Sequence, residues 1–164
     1  TDRTLTLPDE AGTVLTSASD ITSQAMNGPA FSAYRSSSAQ SISSSTWTKL
    51  EFQTEEFDTD NCYDNATNYR FTPNVAGYYQ VNGGTRADPG LSQYHISIYK
   101  NGNEFKRIGF EESGRGDYGS ALIHLNGTTD YIELYGLHTF GSAKNIAFTG
   151  SEVSYFQACL VRSA

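Results

Sequence analysis

The residues of this chain able to do chemistry are three histidines, two cysteines and one dense run of carboxylates. His95, His124 and His138 fall in separate strand-like segments, and no H-E-x-x-H, G-x-S-x-G or Walker phosphate loop occurs. Glycoside hydrolysis needs two carboxylates about 5 to 10 Å apart. Glu111 or Glu112 with Asp117 is the pair the sequence offers, but charged, glycine-rich hairpins produce such pairs routinely, so no enzyme is expected. The run Glu55-Glu56-Phe57-Asp58-Thr59-Asp60-Asn61, with Asp64, could supply oxygen ligands to calcium. It lacks the glycine and closing glutamate of an EF-hand loop, so a solvated acidic loop is the default and no cofactor is expected. Cys62 and Cys159 could form one bridge, yet two free thiols are the expectation, suiting assembly in a reducing compartment. Arg115-Gly116-Asp117 is the integrin-ligand tripeptide, more readily a charged turn. Asn65-Ala66-Thr67 and Asn126-Gly127-Thr128 are glycosylation acceptors or plain turns.

These groups must be positioned by strands. Tyr, Phe, Thr, Ser and Gly are abundant and leucine is scarce, which favours pleated, half-buried surfaces over amphipathic helices. Alternation and turn signals predict strands over 30–35, 46–52, 68–71, 77–86, 93–100, 104–111, 117–125, 130–138 and 152–161. Asn101-Gly102 and Asn126-Gly127 read as type I′ hairpins. Nine or ten strands in 164 residues predict one all-β sandwich or jelly roll. The net charge of −7 argues against nucleic acid and anionic membrane surfaces as partners, and no apolar run is long enough to span a bilayer.

Residues 1–28 differ in character. Leu7-Pro8-Asp9 through Gly12-Thr13-Val14-Leu15-Thr16 resembles the L-P-D-x-x-G-T-V-L-T pieces of phage tail-fibre and virion structural proteins, a stalk-like lead into a head. A chain opening on Thr1 reads as a processed chain or as part of a longer fibre.

The rest, 29–164, carries a more specific pattern. Phe52, Asp58, Tyr63, Phe71, Gly77, Tyr79 and Val81 fall in the order F-x5-D-x4-Y-x7-F-x5-G-x-Y-x-V, preceded by Ala30-Phe31-Ser32-Ala33 and followed by Tyr155-Phe156-Gln157-Ala158. This resembles the C1q domain and the related tumour necrosis factor superfamily, which implies a jelly-roll head that assembles as a homotrimer. The Tyr63 to Phe71 spacing is one residue long, and Val81 and Gly83 stand where aromatic residues are usual.

Period-two alternation puts Tyr79 and Val81 on one face and Tyr78, Gln80 and Asn82 on the other. By the resemblance the outer rows line a threefold axis, so Tyr78, Gln80, Tyr118, Leu122, His124, Tyr155 and Gln157 are the expected trimer contacts. Three copies of His124 would then meet, a geometry suited to a metal or a pH switch, against the plainer reading of a satisfied neutral histidine. C1q-like heads sometimes bind calcium, which is the remaining case for the acidic run.

The expected function is a receptor-binding or capping head on a virion tail fibre, recognising a cell-surface glycan or protein with Arg86, Asp88, Tyr94, Arg115, Asp117 and Phe140 on or near its loops. The alternatives are a secreted, extracellular recognition module and a purely structural trimerisation cap.

Overall fold

The computed structural model describes residues 28–90, 93–112 and 116–164. The stalk-like motif and Arg115 lie outside the described residues. The described chain contains strands and no helix: β1 Ala30–Tyr34, β2 Gln40–Ile42, β3 Thr48–Lys49, β4 Thr54–Asp58, β5 Tyr63–Asp64, β6 Arg70–Phe71, β7 Ala76–Arg86, β8 Tyr94–Lys100, β9 Asn103–Glu111, β10 Gly116–Asn126, β11 Ile132–His138, β12 Lys144–Ala147 and β13 Tyr155–Ser163. A first sheet runs β10-β7-β13-β1-β4 and a second runs β5-β6-β11-β8-β9, with β3 added on β11. A short ribbon pairs β12 with β2.

The two sheets face each other because each long strand alternates. Tyr79 and Val81 of β7, Ala121, Ile123 and Leu125 of β10, and Phe156 and Ala158 of β13 are buried from one side. Ile96 and Ile98 of β8 and Ile132 and Leu134 of β11 meet them from the other. Each such large side chain contributes about 1.5–3 kcal/mol on full burial. The signature residues converge in this core. Phe31 stacks on Tyr63 and on Phe71, each at 4.6 Å, and Phe71 meets Tyr79 edge-on at 5.7 Å. Tyr63 donates its hydroxyl to the Phe52 carbonyl at 3.2 Å, and the Asp58 carboxylate accepts the Tyr63 N–H at 2.7 Å. The motif is thus an aromatic core with one carboxylate pinning its loop. At Gly83 the space a side chain would take is filled by Leu134 from the opposite sheet: a Cβ there would lie 2.8 Å from its methyls.

Three expectations need correction. The segment expected as a strand over 46–52 is regular only at β3, although the Ser45 and Leu50 N–H groups also reach the His138 and Leu134 carbonyls of β11, and the longer strand is β4, where the acidic loop was expected. Leu50 and Phe52 alternate into the core and so imitate a strand, but at Glu51 the chain is crossing between sheets. Its backbone is satisfied by side chains instead, with Gln40 Oε1 accepting the Glu51 N–H at 3.0 Å and Arg35 donating to its carbonyl at 2.9 Å. Within β4 the carboxylates are dispersed: Glu56 accepts the Ser32 hydroxyl at 2.7 Å while Asp58 holds Tyr63. Asp64 is occupied by the N–H groups of Ala66 and Thr67 and the amide of Asn68. Among the described residues no three His, Cys, Asp or Glu side chains come together as a metal-binding group.

Asn101-Gly102 is a tight turn with both φ angles positive, 53° and 78°. Asn126-Gly127, by contrast, does not close a hairpin, because β10 and β11 belong to different sheets. Asn126 Oδ1 accepts the N–H groups of Thr128, Thr129 and Asp130, and its amide nitrogen donates to Thr129 Oγ1 at 2.9 Å. This acceptor sequon therefore serves as turn chemistry.

Candidate functional site

The outer face of the first sheet is built by the residues that alternate away from the core. Register places Tyr78 beside His124, Gln80 beside Leu122, Asn82 beside Ser120 and Gly84 beside Tyr118. On the other side of β7, Gln157 lies opposite Asn82 and Tyr155 opposite Gly84. All seven expected trimer contacts are therefore brought onto one continuous face. Tyr78 is 44 % exposed, Tyr118 50 % and Leu122 53 %, which is unusual for large side chains in the middle of a regular sheet. Sequence reasoning missed two further members. Val161 is the extra residue of a bulge between Leu160 and Arg162 and lies exposed beside Tyr78 and Leu122. Phe57 of β4 is exposed beside Asn82 and Gln157 in a recess of about 140 Å³.

Gly84 has a specific use here. The Tyr118 ring lies across it and meets Tyr155 at 6.2 Å, and a Cβ at Gly84 would come within 2.2 Å of the Tyr118 ring. At the other end Tyr78, Leu122 and Val161 border a groove of about 590 Å³ closed by Arg162, Ser163 and Ala164. His124 meets the Tyr78 ring edge-on at 5.2 Å, and its carbonyl accepts from Lys100 at 2.8 Å. Polar contacts on this face include Ser32 with Gln157 at 3.3 Å and Gln80 with Asn82 at 3.4 Å, and at the β4 edge Ser32 also donates to the Glu56 carboxylate at 2.7 Å.

The expected receptor contacts divide. Arg86, Asp88 and Phe140 gather at the end of the sandwich where β7 stops and β10 starts. Arg86 covers the Phe148 ring at 5.4 Å, and the Asp88 carboxylate accepts the Asn145 N–H at 3.0 Å. Lys144 sits 4.3 Å from the Phe140 ring centre. Between Gly90 and the 139–142 turn is an open recess of about 430 Å³. Tyr94 is a correction: it is fully buried, bonded to Thr85 Oγ1 and to the Ile146 carbonyl, and it starts the core face of β8. Burial pushes its phenol far above the ordinary range, so it is a packing residue. Asp117 is half-buried, packed against Gly109 of β9 with Oδ1 accepting the Tyr118 N–H at 2.9 Å, a poor posture for an integrin ligand.

His138 is a packing residue. His138 is fully buried, with Nε2 3.1 Å from the Ile42 carbonyl and Nδ1 accepting the Phe140 N–H at 3.2 Å. Cys62 is buried and Cys159 exposed on the outer face, both as free thiols. Burial pushes the Cys62 thiol up.

No protein-family model matches the sequence, and no curated protein matches it significantly. Solved structures do match the fold. Murine APRIL superposes with a TM-score of 0.62 at 9 % identity over 82 % of this chain and 100 % of that one. Eiger TNF from S. frugiperda gives 0.62 at 11 % over 84 % and 96 %. With two facing sheets, an aromatic core and these neighbours, the chain carries the jelly roll of the tumour necrosis factor and C1q-like heads.

Proposed function

We propose that this chain is a non-catalytic, homotrimeric head that attaches to, or caps, a virion appendage and recognises a cell-surface receptor. The observation that carries the reading is the outer face of the first sheet. Tyr78, Tyr118, Leu122, Val161 and Phe57 lie exposed on one regular surface among amides and hydroxyls, with Glu56 and Arg162 at its edges, a composition suited to contact with protein. Closed rotational symmetry lets one such face serve every copy, and the resemblance to C1q and necrosis-factor heads implies three. Three recognition surfaces on one rigid tip raise avidity, because later contacts become intramolecular.

The stalk-like motif at 7–16 supports the appendage, and with it a location on the virion surface. Light scattering on the full chain at micromolar concentration is expected to give three times the protomer mass; a stable monomer would end the proposal. Fluorescent protein added to host cells separates a receptor reader, which stains them, from a cap, which does not.

A further inference from the structure

The outer face of the second sheet carries an aromatic strip. His95, Ser97 and Tyr99 of β8 point away from the core side, where Tyr94, Ile96 and Ile98 are fully buried. Tyr135 of β11 stacks on Tyr99 at 3.8 Å, and Phe110 of β9 lies 4.8 Å from His95. Trp47, on the connection between β2 and β3, sits 6.3 Å from His95 and 6.0 Å from Tyr99. Residues four apart in a strand are separated by about 13 Å, so a ring within reach of both lies between them, over Ser97. Arg107 covers Trp47 at 5.2 Å.

Beneath these rings His95 Nδ1 and Ser97 Oγ are buried without hydrogen-bond partners. A buried polar atom left unpaired costs about 1–3 kcal/mol, and here two such atoms lie on adjacent outward positions of one strand. His95 is 8 % exposed and Ser97 0 %. The charges along the strip are neutralised in place: Arg107 holds Glu104 at 2.8 Å and Lys49 holds Glu133 at 3.0 Å. Burial, aided by Arg107, holds the His95 imidazole below its ordinary range, which favours the neutral ring.

We propose that this strip binds a neutral oligosaccharide. Sugar rings present apolar C–H faces that pack on Trp47 and Phe110, while their hydroxyls can both donate and accept, as His95 Nδ1 and Ser97 Oγ require. An acidic glycan would need an unpaired cation, and both cations of the strip already hold carboxylates. The proposal rests on the head being a recognition module. It places the site on the sheet opposite the assembly face, so that it remains open around the trimer.

Trp47 is the one tryptophan of the chain and therefore reports on the site directly. The full chain is titrated with gluco-, galacto-, manno- and N-acetylglucosamine hexasaccharides, and in parallel with sialyllactose and a heparin fragment. A neutral series is expected to shift Trp47 emission and reduce its acrylamide quenching with a dissociation constant of about 1 mM or tighter. Phe110→Ala, at a side chain 52 % exposed, is expected to weaken binding about ten-fold. His95→Phe should abolish binding yet leave the fold intact, since it removes the unpaired nitrogen. No response to any sugar, a response confined to the acidic sugars, or unchanged binding in both variants overturns the proposal. Light scattering on the same samples reports assembly separately, so loss of the trimer and loss of sugar binding are told apart.

Discussion

Leu122 offers the sharpest test of the assembly face. It lies in the middle of β10 opposite Gln80 and is 53 % exposed in the protomer. Full burial of a leucine contributes about 1.5–3 kcal/mol, so covering the exposed half contributes about 1 kcal/mol per copy and about 3 kcal/mol over three. Leu122→Ala should therefore lower the association constant of the trimer about a hundred-fold. Leu122→Asp adds the cost of burying a carboxylate, several kcal/mol per copy, and should leave monomer at micromolar concentration. The protomer itself should change by no more than about 0.5 kcal/mol, because the side chain is exposed there. Sedimentation over a concentration series reads the association, and urea unfolding at the lowest concentration reads the protomer. Phe105→Asp, equally exposed at 50 % but on β9 of the other sheet, is the control and should leave assembly unchanged. A Leu122→Asp protein that sediments like the unmodified chain refutes the reasoning, as does equal disruption by Phe105→Asp.

Three other outcomes follow from the packing. Leu134→Ala should cost about 2–5 kcal/mol in urea unfolding, because Leu134 fills the space left by Gly83 and a cavity would remain. Asp64 is held down to about 2 by the Thr67 N–H first, despite some desolvation, with help from Ala66 and Asn68. Its folded value is depressed, so its contribution is complete above the ordinary carboxylate value of about 3.9 and lost as pH falls through about 2. The melting-temperature gap between the unmodified chain and Asp64→Asn should accordingly narrow from pH 5 to pH 2. A gap that stays constant would contradict this. Thiol titration should find Cys159 reactive in the monomeric Leu122→Asp protein and shielded in the trimer, with Cys62 reacting only after unfolding.

Much of this was legible from alternation. Tyr79 and Val81 against Tyr78 and Gln80, and Phe156 and Ala158 against Tyr155 and Gln157, divide core from outer face as the period requires, because a strand offers only two directions. The uncharged outer face of β7, β10 and β13 could be read for the same reason: an outward row without charges is visible in the letters. β4 was hidden because Glu55 and Glu56 resemble a solvated loop, whereas an edge strand tolerates carboxylates that meet Ser32 and water. Tyr94 was misread because exposure of a tyrosine next to a loop depends on which way its strand enters the sandwich.

The strand-rich class, the family-like signature and the two faces of each long strand are readable from residue types and their spacing along the chain. What stands beside what is settled by packing between the sheets. The tertiary structure set Leu134 in the space above Gly83, Arg35 and Gln40 on the backbone of Glu51, and Trp47, Tyr135 and Phe110 around the His95-x-Ser97-x-Tyr99 row. Those contacts join residues that chain order keeps far apart, and they follow from sheet pairing and packing rather than from any local pattern.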